Sequence, residues 1–144
     1  MKSNLPYCPG VIPSKPSPQK GYELRFEVEG LPPYKDVSKS IRNKTHRAHE
    51  RFILLREKAI QVMDGRAWYF DAISLSIVIF GNDILFDKSI QDYMSGIMDT
   101  LGGSSGFTFT FLPIVYEDDS QVCEASYIRK ESDVAKYQVL IKFL

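Results

Sequence analysis

Residues 68–80 are dominated by β-branched and aromatic side chains and are apolar on both alternating faces. A strand of that kind has no face to give to water. It predicts a central strand covered on both sides, and with it a layered α/β fold. Its most apolar part, 73–80, is broken by Ser74 and Ser76 and is far too short to span a bilayer.

The flanking sequence supplies the layers. Residues 22–29 alternate strictly, Tyr22, Leu24, Phe26 and Val28 against Glu23, Arg25, Glu27 and Glu29, which predicts a half-exposed strand ended by Gly30 and Leu31-Pro32-Pro33. After Thr45, a suitable N-cap, Ala48, Phe52, Leu55, Ala59 and Val62 recur at helical spacing. They predict an amphipathic helix over 45–63, closed by Asp64-Gly65. Ile90, Met94, Ile97 and Leu101 mark a second helix, with Asp87 or Ser89 as its cap, Ser89 and Asp92 as a weak capping box, and the glycines from Gly102 as its stop. Residues 107–115 are apolar but irregular around Pro113. Residues 121–129 and 134–144 read as strands, and the polar Lys130-Glu131-Ser132-Asp133 between them predicts a hairpin. The expected order is β-α-β-α-β-β, an α/β domain with a mixed sheet packed by helices. Residues 1–20 hold Pro6, Pro9, Pro13, Pro16 and Pro18 and predict a flexible or extended arm, leaving 21–144 as the domain.

Composition excludes some function classes. Apolar residues make up 44% of the 144, enough for a core, and the net charge is zero, so any affinity for nucleic acid must come from local patches. Cys8 and Cys123 are far apart and lack zinc-site spacing, and the first residues lack the apolar region of a signal peptide. Reduced thiols, a cytoplasmic location and no membrane partner are the expectation.

The candidate chemistry lies in Tyr116-Glu117-Asp118-Asp119-Ser120-Gln121-Val122, where three carboxylates stand in a row. Such a cluster is either solvated in a turn or holds a cation, and the sequence leaves both open. A second acidic segment holds Asp87, Asp92 and Asp99. In a helix Asp92 and Asp99 are two turns apart, about 10 Å along the axis. Gly96 between them costs about 1 kcal/mol against alanine, which predicts a close approach to the backbone there. Carboxylates at a helix start and in a nearby turn suit Mg²⁺, which takes one or two carboxylates with waters and phosphate oxygens. Asp92 alone also fits a first-turn residue favoured by the helix dipole. His46 and His49 share a helix face but lack a third ligand, so they read as solvated or phosphate-facing. Lys35, Lys39, Arg42, Lys44, Arg47 and Arg51, with Lys88, form either an exposed basic face or a set of phosphate contacts. Phe107, Phe109 and Phe111 read as core or a dimer contact rather than a base-stacking platform.

Taken together, the Leu-Pro-Pro turn, the basic segment, the Ile97-Met98-Asp99-Thr100-Leu101 helix end and the Tyr-Glu-Asp-Asp-Ser-Gln-Val run resemble the RusA-type Holliday junction resolvases over roughly residues 22–144. The resemblance implies a dimeric α/β endonuclease of DNA recombination and repair that cuts four-way junctions with Mg²⁺ held by aspartates. It also implies a register. With Asp99 on the family's helix-ending aspartate, the two aspartates opening that helix fall on Ser89 and Gln91. The following asparagine falls on Asp92 and the lysine on Ser95. Asp119, beside Asp118, keeps the aspartate of the later turn. Two of three expected carboxylate ligands are therefore neutral. On the resemblance Asp119 and Asp92 would be catalytic and would hold the metal with help from Asp118, while Asp87 offers a further rescue. The alternatives are a branched-DNA-binding protein that does not cut, and a structural or regulatory dimeric domain.

Overall fold

The structure is a computed structural model and describes residues 12–34, 48–102, 104–105 and 110–144. The strict alternation becomes β1 (Glu23–Glu29), with Leu24, Phe26 and Val28 buried and the charged residues exposed. Helix α1 (His49–Met63) follows, and its C-terminal Asp64 (φ 51°) and Gly65 (φ 82°) turn the chain through left-handed backbone, as the Asp-Gly pair predicts. The expected cap Thr45 and the first predicted residues of this helix lie outside the described residues. Then come β2 (Ile73–Gly81), α2 (Ile90–Leu101), two short paired strands β3 (Ser104–Ser105) and β4 (Thr110–Phe111), β5 (Val122–Glu131) and β6 (Lys136–Phe143). The result is a single α/β domain with a four-stranded mixed sheet, in the order β1-β6-β2-β5.

One face of that sheet is the core. Ile73, Leu75, Ile77 and Ile79 of β2 and Tyr137, Val139, Ile141 and Phe143 of β6 are buried there with Phe52, Leu55 and Ala59 of α1 and Tyr93, Ile97 and Leu101 of α2. Each large aliphatic side chain in this layer contributes about 1.5–3 kcal/mol of burial. The expectation that 68–80 is a strand covered on both sides is corrected twice. The strand begins at Ile73, and its other face, Ser74, Ser76, Val78 and Phe80, is only half-buried. The serines are the pattern rather than interruptions of it. They mark the side that no helix of the described residues covers.

The hairpin expected between the last two strands is also corrected. β5 pairs with β2 in parallel, β6 pairs antiparallel with both β2 and β1, and β2 therefore lies between β5 and β6. Burial explains the exchange. β6 alternates four fully or nearly buried residues and takes the centre, whereas β5 carries Glu124, Arg129, Lys130 and Glu131 and takes the edge. The linking residues cross the end of β2, where the Ser132 amide donates to the Gly81 carbonyl at 2.7 Å.

Two further details position the site. An added Cβ on Gly96 would lie 2.2 Å from the Pro33 carbonyl oxygen, so the Leu-Pro-Pro turn is what approaches α2 at its mid-helix glycine. The buried stripe of α2 runs through Tyr93, Gly96, Ile97, Thr100 and Leu101, turned away from the expected Ile90 and Met94, which are half-buried. The arm is extended from residue 12 on, and it is pinned to the body. Ser14 and Lys15 amides donate to Gly65, Ser17 donates to the Trp68 carbonyl at 2.6 Å, and Lys15 pairs with Asp64 at 2.8 Å.

Candidate functional site at the two ends of the second helix

The acidic run folds into a short 3₁₀ turn, Asp119–Gln121, held by its own sequence. Asp118 and Gln121 form a capping box. The Gln121 side-chain oxygen accepts from the amides of Glu117 (2.8 Å) and Asp118 (3.0 Å), and its nitrogen donates to the carbonyls of Tyr69 (2.7 Å) and Asp71 (2.9 Å). Ser120 donates to the Asp118 carboxylate at 2.5 Å. Asp118, expected to assist a metal, is thus engaged in the turn itself. Glu117 and Asp119 are exposed.

The turn is anchored at the C-terminal end of α2. Fully buried Tyr116 donates its hydroxyl to the Met98 carbonyl at 2.6 Å. Burial pushes that hydroxyl well up, and the charges of Asp119 and Asp99 raise it further, with Asp119 also within hydrogen-bonding reach. Burial and then the charge of Asp119 likewise raise Tyr127 on β5. The Tyr127 hydroxyl is buried with no hydrogen-bond partner among the described residues. A Cβ on Gly102 would meet the Tyr116 ring at 2.9 Å and an Asp119 carboxylate oxygen at 3.7 Å, so the helix must stop in glycine for the turn to dock. The same end is clamped from α1. Arg56, with no exposed surface, donates to the carbonyls of Thr100 (3.1 Å) and Leu112 (2.9 Å), a cation placed where the helix dipole is negative.

The N-terminal end of α2 is different. Ser89 is its N-cap and accepts from the Asp92 amide at 3.1 Å. Tyr93 accepts from the amides of Asp87 (3.0 Å) and Lys88 (3.2 Å) and donates to the Asp87 carboxylate. Arg51 grips the same carboxylate at 2.9 and 3.3 Å and also donates to the Pro32 carbonyl. Partial burial raises the Asp87 carboxyl, but the hydrogen bonds from Arg51 and Tyr93 and the charge of Arg51 outweigh it and leave the group below its ordinary value. Arg51 and Lys88 both lie over the Tyr34 ring, at 5.4 and 4.6 Å. Asp87 and Arg51 therefore face each other rather than a ligand.

The two acidic segments meet, but not where the sequence suggested. Asp119 sits against Gly102, and Asp92 lies in the first turn of α2, about 15 Å away along the helix axis. The carboxylate that shares the Tyr116 environment with Asp119 is Asp99. Ser95, at the position of the family lysine, is half-buried on the same helix, and Gln91 is exposed. His49 is buried against the Phe52 ring at 5.7 Å. Lys35, Lys39, Arg42, Lys44, Arg47, His46, Phe107, Phe109, the Phe111 side chain and Cys8 lie outside what the structure describes.

Among the described residues no group of three or more His, Cys, Asp or Glu side chains is placed to hold a metal ion, and no helix is long and apolar enough to cross a membrane. Asp99 and Asp119 offer two carboxylates, the number from which Mg²⁺ sites are commonly built. The orphaned Tyr127 hydroxyl beside Asp119 offers a hydrogen-bond partner to a coordinated water. No family model matches this chain, and no characterised protein matches it in sequence.

In the sequence Asp99 marks the acidic helix and the family register but has no ligand role, and Tyr127 and Arg56 carry no signal of the acidic-turn chemistry. Arg56 stood on the apolar stripe, four residues after Phe52 and three before Ala59. A charged residue at that phase is the signal that a buried partner awaits it.

Proposed function

We propose that this chain is a RusA-like protein that binds branched DNA as a homodimer in the cytoplasm, with Asp99 and Asp119 as the carboxylates of a Mg²⁺-dependent nuclease site. The observation that supports the reading is the docking of the acidic turn on the C-terminal end of α2, where Tyr116 donates to the Met98 carbonyl and Asp119 lies against Gly102, with the charges of Asp119 and Asp99 both acting on the Tyr116 hydroxyl. Asp119 is presented by a turn that Gln121 fixes, and Asp99 by a helix end that Arg56 clamps. Bound there, Mg²⁺ would polarise a scissile phosphate and lower the pKa of an attacking water. Tyr127 would orient a water beside Asp119. The test is cleavage of a four-way junction in Mg²⁺ or Mn²⁺. Wild type should cut, Asp119→Asn and Asp99→Asn should not, and Asp92→Asn should cut normally. Failure of the wild type to cut at any metal concentration would remove the nuclease reading.

A second reading, binding of branched DNA without cutting, is favoured by one specific observation. Ser89, which stands where the resemblance expects a first metal-binding aspartate, is already engaged as the N-cap of α2, far from Asp119. It predicts junction binding that weakens steeply with salt and no cleavage.

A further inference from the structure

The sheet ends in two edges that differ in kind. β5 is ten residues long, and eight of them are exposed. On its outer side it pairs with nothing among the described residues. A long edge of unpaired amides and carbonyls is a template for another strand unless the sequence defends it. β1 is defended. Antiparallel self-pairing centred on Phe26 would set Glu23 opposite Glu29 of the second copy, offsetting the Arg25–Glu27 pairs of that register, and centring on Arg25 or Glu27 would set a charge opposite itself. Its charges are also used at home, with Glu23 and Glu27 paired to Lys142 and Lys136 of β6.

β5 is self-complementary instead. Its side chains on the face away from the helices are Glu124, Ser126, Ile128 and Lys130, aligned with Ser74, Ser76, Val78 and Phe80 of β2. A two-fold axis normal to the sheet keeps this face on one side and pairs residues whose numbers sum to an even constant. Centred on Tyr127, it sets Glu124 opposite Lys130 of the second copy, twice by symmetry, and Ser126 opposite Ile128. Neither Glu124 nor Lys130 has an ion-pair partner among the described residues. Six residues apart on one strand, about 20 Å, they cannot reach each other within the chain.

We propose that β5 is the dimer edge of this protein, pairing antiparallel with β5 of a second copy about a two-fold axis at Tyr127 to form one continuous eight-stranded sheet. This sharpens the homodimer part of the reading above but stands on the fold alone, so a failed junction assay would leave it intact. The isologous pairing closes on itself, because it leaves only the two defended β1 edges exposed.

Sedimentation velocity over a dilution series of the full chain tests this. Wild type should be a dimer that dissociates on dilution. Glu124→Lys and Lys130→Glu each set like charges opposite one another twice and should weaken the dimer roughly tenfold. The double variant E124K/K130E restores opposite charges and should recover most of the wild-type affinity. Both positions are exposed, and recovery by the double variant separates pairing from misfolding. A wild type that stays monomeric, open-ended assemblies, single variants that dimerise like wild type, or a double variant no better than the singles would each overturn the proposal.

Discussion

At its start α2 meets Ser89, Asp87, Tyr93 and Arg51, each bonded to a protein partner; at its end it meets two carboxylates on a solvent-facing edge and a tyrosine hydroxyl without one. The difference separates stability from chemistry. Acidic groups with protein partners hold the helix in place. On the proposed reading, the acidic groups beside the raised tyrosines are the ones that take a cation. On this contrast, substitutions at the first end should cost stability and leave metal affinity alone, and substitutions at the second should do the reverse.

Gly96 joins the two ends and should give the largest effect. Gly96→Ala drives a Cβ into the Pro33 carbonyl, a backbone atom that cannot turn aside, and should cost about 3 kcal/mol in denaturant unfolding. Asp87→Ala should come next, at about 1.5 kcal/mol near neutral pH, since the carboxylate is 42% exposed and its ion pair is partly screened. Its pH dependence has a definite sign. The folded carboxyl titrates below its ordinary value of 3.8, so its contribution is present above that value and is lost as the pH falls through the lower folded one. Wild-type stability should therefore fall more steeply than that of the variant below about pH 4, as followed by unfolding at a series of acid pH values. Ser89→Ala removes only a cap and should cost about 0.5–1 kcal/mol with no change in metal affinity. Asp119→Asn, on an exposed turn, should change stability by no more than about 0.5 kcal/mol. If it instead destabilised the fold as Asp87→Ala does, the contrast between the two ends would collapse.

Local signals carried most of the fold. The alternation of β1, the Asp-Gly stop after α1, the caps of α2 and the close approach at Gly96 all follow from spacing and residue type. The failures share a cause. Periodicity tells which residues face inward but not which strand lies beside which, so the sequence predicts a hairpin of β5 and β6 although β2 separates them. Charge content held the answer, because a strand carrying Glu124, Arg129, Lys130 and Glu131 belongs at an edge. The site failed similarly. The resemblance pairs Asp92 with Asp119 because Asp92 lies next to the position of a lost family aspartate. Whether Asp119 docks at the start or the end of a helix is a tertiary fact, set by Gly102 making room for Tyr116.

The most direct measurement is calorimetric titration of Mg²⁺, and of Mn²⁺ as a tighter stand-in, into wild type, Asp119→Asn, Asp99→Asn and Asp92→Asn. The contrast between the two ends predicts one site per chain in wild type and in Asp92→Asn, with affinity lowered at least tenfold in Asp119→Asn and Asp99→Asn. No binding by wild type, or binding lost in Asp92→Asn and kept in Asp99→Asn, would contradict it.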